Sequence, residues 1–133
     1  VKVRGMKCAE GGHPGSYFEV RHHWREGDTV ELRLPMPARK IPGHPLVEST
    51  RGCVALARGP LVYCVEGADH PGRDVRALVL PAEATFGERF RPDLLGGATV
   101  LDGRAGTQEL TAIPYHLWAN RAAGSMQVWI RQV

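Results

Sequence analysis

Residues Arg58-Gly59-Pro60 lead straight into Leu61-Val62-Tyr63-Cys64-Val65-Glu66, and this stretch constrains the fold more than any other. The Gly-Pro step turns the chain, and the residues after it alternate sides as a strand. Val62 and Cys64 fall on one face, with Leu61, Tyr63 and Val65 on the other. Both faces stay apolar until Glu66. A strand of this kind needs cover on two sides, which places it inside a layered β domain.

The same alternation recurs along the chain. Val1 and Val3 alternate with Lys2 and Arg4 before Gly5 turns the backbone. Tyr17–Trp24 sets Phe18, Val20, His22 and Trp24 on one side, and Thr29–Leu34 sets Val30, Leu32 and Leu34 against Glu31 and Arg33. Between them Arg25-Glu26-Gly27-Asp28 carries glycine at a positive-φ position, so the pair predicts a hairpin. Pro35 to Pro45 holds four prolines in eleven residues and predicts an extended connector outside any ladder. Gly52–Ala57 and Leu61–Glu66 predict a second strand pair. Val75–Leu80, Thr99–Leu101, Leu110–Ile113 and Met126–Ile130 read as further strands. Phe86 and Phe90, four apart, fit a helical turn or an irregular edge.

Together these elements predict an all-β, antiparallel, jelly-roll-like sandwich architecture. Residues 1–50 read as strands of a partial, truncated sandwich ending in the Pro-rich connector, and residues 51–133 as a second, C-terminal sandwich. The predicted core is Val30, Leu32, Leu34, Leu61, Tyr63, Val65, Val128 and Ile130, with Val62 and Cys64 covered on a second face.

Composition narrows the function classes. At 43% hydrophobic, 133 residues can bury a core, and ten prolines with sixteen glycines suit turns between short strands. No run approaches eighteen apolar residues, so no membrane span is predicted. The net charge of +3 and pI near 9.0 come from arginines that alternate with acids, as in Glu19/Arg21 and Glu31/Arg33. That is a solvated sheet face rather than a basic stripe, and nucleic acid is not an expected partner. The chain opens at Val1 without an initiator Met or a signal-peptide pattern. It reads as a piece of a longer polypeptide, so its compartment stays open, with a cytoplasmic location only slightly favoured.

Candidate chemistry is sparse. His13, His44 and His70 each precede proline, which pushes them to extended loop backbone. His22 and His23 are adjacent on a strand and point to opposite faces. No ligand set has zinc spacing, so neither a metal nor another cofactor is expected. Cys8, Cys53 and Cys64 are an odd count without a CxxC, which favours reduced thiols acting as small hydrophobes. Cys64, flanked by apolar neighbours, is expected to be inert rather than nucleophilic, with Glu66 and Asp69 nearby serving structure. The segment Ile113 to Arg121 is richer. Tyr115, His116, Trp118, Asn120 and Arg121 offer aromatics, an amide and a guanidinium in one loop. They could seal the end of the core, pack against another domain, or stack on a sugar ring.

Three segments in order resemble the C-terminal β-sandwich region of glycoside hydrolase family 127, the β-L-arabinofuranosidase-like proteins. They are Tyr17-Phe18-Glu19-Val20-Arg21 through Trp24, Gly27-Asp28 and Leu34-Pro35-Met36-Pro37; then Arg58–Glu66; then Ile113–Arg121 with Met126 and Val128-Trp129. Arg91-Pro92-Asp93-Leu94-Leu95-Gly96-Gly97 fits as well. Arg4-Gly5 and His116 depart from the family's usual residues. The resemblance implies that the catalytic cysteine, the glutamates and the zinc site belong to an (α/α)6 helical barrel upstream, so none is assigned here. The chain is then expected to be a catalytically silent accessory domain whose partner is the parent's catalytic barrel. The alternative is an independent carbohydrate-binding module using Tyr115 and Trp118. The unpaired edge and apolar face of residues 1–36 further predict a homodimer or larger assembly through that segment.

Overall fold

The computed structural model describes residues 15–133 and the backbone of two short strands before them, β1 (Lys2–Val3) and β2 (Met6–Lys7). The predicted turn at Gly5, Cys8 and the His13-Pro14 step lie outside the described residues. The chain divides into two compact units, Val1–Pro35 and Met36–Val133.

In the first unit β1 pairs antiparallel with β2 and with β3 (Val30–Glu31), giving the order β2-β1-β3. The turn at Arg25–Asp28 forms as its residues dictate. The Asp28 N–H donates to the Arg25 carbonyl at 3.0 Å, the Arg25 N–H donates to Asp28 Oδ2 at 2.8 Å, and Gly27 has φ 80°. The predicted hairpin around it does not form. Tyr17–Trp24 has no strand, and β3 takes β1 as its partner. Val30, Leu32 and Leu34 are exposed, Leu32 at 62%, which corrects their assignment to the core. Alternation buries one face only where a second layer exists, and the described residues of this unit supply none.

The second unit carries nine strands: β4 (Ala38–Pro42), β5 (Cys53–Arg58), β6 (Leu61–Glu66), β7 (Val79–Leu80), β8 (Phe86–Arg91), β9 (Ala98–Ala105), β10 (Gln108–Pro114), β11 (Met126–Gln127) and β12 (Ile130–Gln132). They form one sheet in the order β7-β12-β5-β6-β10-β9-β8, with β4 on β5 and β11 on β6. The sheet curls. Laid flat, β8 would stand five strand spacings, about 24 Å, from β4. Instead Glu88 of β8 accepts from the Ala38 N–H at 3.2 Å and from Arg58 Nε at 2.7 Å.

The all-β expectation holds, and several local readings need correction. The Pro-rich segment is not a free connector, because Ala38–Pro42 pairs with β5 over five residues and belongs with the second unit. Its prolines flank or end the pairing stretch, where a missing N–H breaks no interior ladder bond. Phe86 and Phe90 sit on a regular strand rather than a helical turn. Val75–Leu80 is not one strand: Val75–Ala77 is a 3-10 turn capped by Asp74, followed by the two-residue β7. β7 runs parallel to β12, so the sheet is mixed rather than wholly antiparallel. The last predicted strand breaks into β11 and β12.

The turn from β5 to β6 behaves as predicted. Gly59 has φ 55°, and a Cβ there would also lie 2.6 Å from Met36 Sδ. Beyond it β6 separates two apolar clusters. Tyr63 and Val65 join Val54, Leu56, Leu80, Leu101, Leu110 and Ile130. Cys64 joins Leu94, Val100 and Ile113, against which Leu117, Met126 and Val128 pack. Two-sided cover of β6 is therefore correct for Tyr63, Cys64 and Val65. Val62 departs from it at 41% exposed, and Leu61 and Val128 are half-buried.

Candidate functional site

The C-terminal end of β6 organises the aromatic loop. β10 pairs with β6 through Ile113↔Cys64 and Pro114↔Tyr63, and β11 pairs with it through Met126↔Glu66 and Gln127↔Val65. The chain between β10 and β11 thus leaves and rejoins the sheet beside Glu66. That residue is only 4% exposed. A carboxylate so deep in the fold requires compensating donors.

It has them. Glu66 Oε1 accepts the Ala119 N–H at 2.9 Å, and Oε2 accepts Arg121 Nη2 at 2.5 Å. Arg121 also grips Asp69, through Nη1 to Oδ1 at 2.8 Å and Nη2 to Oδ2 at 2.5 Å. The Asp69 hydrogen bonds, followed by those to Glu66, hold the guanidinium more firmly protonated than usual. Ala119 adopts φ 63°, a left-handed backbone that alanine rarely takes, and the Glu66 bond fixes it there.

Buried His70 closes the other side of the cluster. Its Nε2 accepts the Thr111 N–H at 3.2 Å, so the ring proton sits on Nδ1, which donates to the Glu66 carbonyl at 2.7 Å. Although it lies in a loop before proline, His70 is buried and ties β10 to the end of β6.

This scaffold sorts the five predicted site residues. Tyr115 and His116 lie on a 3-10 turn, Tyr115–Leu117, at the end of β10. Tyr115 and Trp118 stack with ring centroids 6.0 Å apart and planes 21° from parallel, at 45% and 41% exposure. The pairing of β10 with β6 ends at Pro114↔Tyr63, and Val62, one residue before Tyr63, is exposed as well. His116 is exposed. Asn120 turns its amide back on the loop, donating to the carbonyls of Leu117 at 3.3 Å and Trp118 at 3.1 Å. Arg121 points inward to the two acids. The aromatics are thus presented to solvent, while the amide and guanidinium are largely spent on holding them.

Sequence reasoning placed Glu66 and Asp69 near Cys64 and missed their partner 52 to 55 residues away. The signal was present: an acid closing a fully apolar strand calls for a cation. Cys64 itself is buried, and burial pushes its thiol up to about 12, with the neighbouring Glu66 adding to the shift. A buried thiol held protonated in this way packs as a small hydrophobic core residue. Among the described residues no group of three or more His, Cys, Asp and Glu side chains is placed to hold a metal ion.

Residues 38–131 match the glycoside hydrolase family 127 C-terminal domain. The chain belongs to that family. It is 35% identical over 132 residues to a non-reducing end β-L-arabinofuranosidase of Bifidobacterium longum subsp. longum, covering 80% of this chain and 20% of that protein. A solved family 127 β-L-arabinofuranosidase from Geobacillus stearothermophilus T6 superposes with a TM-score of 0.72 at 36% identity, over 86% of this chain and 21% of that one. A second solved structure, a glycoside hydrolase, superposes at 0.83 with 30% identity over 99% of this chain and 25% of that one. The chain thus spans about a fifth of the length of the curated relative it matches.

Proposed function

We propose that this chain is a non-catalytic accessory domain of a β-L-arabinofuranosidase-like hydrolase and packs against the catalytic part of its parent polypeptide. One observation carries the reading. Tyr115 and Trp118 form an exposed, stacked aromatic pair, and the loop presenting it is fixed by Glu66, Asp69 and Arg121. A mobile loop would lose entropy on docking, and a loop already held in place avoids that loss. Aromatic anchors with few free polar groups are the residues that interdomain packing favours. Exposed Val62 in an otherwise covered strand fits the same role.

Two measurements test it. The chain assayed alone on aryl β-L-arabinofuranosides should give no turnover that Cys64→Ser abolishes; turnover lost with that change would overturn the accessory reading. In the full-length parent, Tyr115→Ala with Val62→Ser should lower the thermal midpoint of the catalytic part and leave this domain's own urea midpoint nearly unchanged. A parent that melts as before would remove the packing surface.

A further inference from the structure

The hairpin between β8 and β9 holds two apolar side chains out in water. Phe90 is 65% exposed and Leu95 41%, and neither joins an apolar cluster of the domain. The hairpin itself is firmly built. Leu94 is buried, and its carbonyl accepts the Gly97 N–H at 2.8 Å. The Phe90 ring lies over that turn, so closely that a Cβ on Gly97 would stand 3.0 Å from it.

The backbone at Leu95 is costly. The two residues between Leu94 and Gly97 both have positive φ, 47° at Leu95 and 87° at Gly96. A turn of that kind favours Asn-Gly, whereas a bulky side chain in the left-handed region is strained. Ala119, the other such residue among those described, is fixed by its bond to Glu66. Leu95 gains little within the domain, because its side chain is partly in water and packs into neither cluster. A side chain held against its backbone preference and unused by its own domain points to a contact outside it.

Neighbouring charges leave the patch neutral. Arg89 pairs with Asp102, Arg91 with Asp93 and Glu88 with Arg58. Its complement is therefore an apolar, uncharged surface. β8 ends where β9 begins, through Arg91↔Ala98, and β9 pairs with β10 through Ala112↔Leu101. The hairpin tip and the Tyr115 loop thus leave the sheet at the same end, and Leu94 and Leu117 pack in one cluster. In the relatives a larger body lies outside the matched part, since the chain covers 20% of the curated one and 21% and 25% of the solved ones.

We infer that Phe90 and Leu95 form a second docking point, for an apolar, uncharged surface on the catalytic part of the parent polypeptide. The inference rests on the packing reading above.

The test compares one pair of changes in two settings. In the 133-residue chain, Leu95→Asn should raise the urea midpoint, because asparagine takes positive φ more readily, and Phe90→Thr should leave it nearly unchanged. In the full-length parent, the two changes together should lower the thermal midpoint of the catalytic part by about 2 °C or more. Opposite signs in the two settings are what a contact outside the domain produces. Should Tyr115→Ala with Val62→Ser lower the parent's midpoint while the Phe90 and Leu95 changes do not, the packing reading stands and this docking point is lost. If neither variant lowers it, both are lost. A urea midpoint that falls with Leu95→Asn would assign leucine to the fold itself and overturn the inference. Light scattering in which the two changes split a dimer of the isolated chain would also overturn it, since the patch would then face a second copy.

Discussion

Replacing Arg121 with methionine keeps an apolar stem of similar reach and deletes the guanidinium. Glu66 would then keep only the Ala119 N–H as a side-chain partner, and Asp69 would lose both of its bonds from Arg121. Breaking one side of a buried ion pair costs about 3–5 kcal/mol, because a charge is left without its counterion. Arg121 keeps a fifth of its side chain in water, so the lower end applies, about 3 kcal/mol. With a urea m-value near 2 kcal/mol/M, that loss lowers the midpoint by about 1.5 M. Domains of this size hold about 5–15 kcal/mol in all, so the effect is large. Tryptophan fluorescence in urea is the assay. Adding Glu66→Gln and Asp69→Asn to Arg121→Met should restore at least half of the loss, since neutral amides need no cation. A cost below about 1 kcal/mol, the ceiling for exposed pairs, would refute the reasoning. So would a triple variant no more stable than the single one.

Leu56 is buried at the centre of the larger cluster, whereas Leu32 lies open. Leu56→Ala should cost about 2–5 kcal/mol and Leu32→Ala about 0.5 kcal/mol or less in urea unfolding, and similar costs would contradict the two environments. Asp102 accepts from Arg89 at 2.6 and 3.0 Å and from Thr111 Oγ1 at 2.8 Å, and Arg89 chiefly holds its carboxyl below the ordinary value. A folded value below the unfolded one means that its stabilisation is present above about pH 4 and fades as pH falls further. Asp102→Asn should therefore flatten the acid limb of the stability curve, and an unchanged limb would show that another carboxylate sets it. Residues 1–36 are expected to mediate self-association of the isolated chain through exposed Val30, Leu32 and Leu34. Light scattering should give at least a dimer mass, reduced to a monomer by Leu32→Glu with Leu34→Glu, and a monomer without those changes would end that expectation.

How much was legible follows from the range over which each signal acts. The Gly59 turn and the faces of Tyr63, Cys64 and Val65 depend on neighbours within six residues, and the sequence carried them. The Arg25–Asp28 turn was equally local and also formed. The hairpin around that turn and the burial of its apolar face failed, because alternation says which face could be buried but not whether a layer covers it. β4 was missed because proline density outweighs strand propensity in any local reading. Only its place on β5, with the prolines at the margins, makes the pairing affordable. The aromatic loop was found, but its division into presented rings and inward polar groups depends on Glu66, about fifty residues earlier in the chain.

The position of the Arg121 cluster explains why a charged group sits where an apolar one would pack with less penalty. β6 receives β10 and β11 at the same end, and the loop between them must cross from one partner to the other. Hydrophobic contact alone does not fix a crossing of this kind, because it has no direction. Glu66 gives it one: its carboxylate accepts from Ala119 and Arg121, while its backbone carbonyl accepts from His70. His70 in turn binds the backbone of β10 through Thr111. A single acidic residue thus ties the strand that supports the loop, the turn that follows it, and the loop itself. The desolvation cost of burying the two acids is offset by four hydrogen bonds to the Glu66 and Asp69 side chains, and the aromatic pair is held at a defined place and angle on the surface.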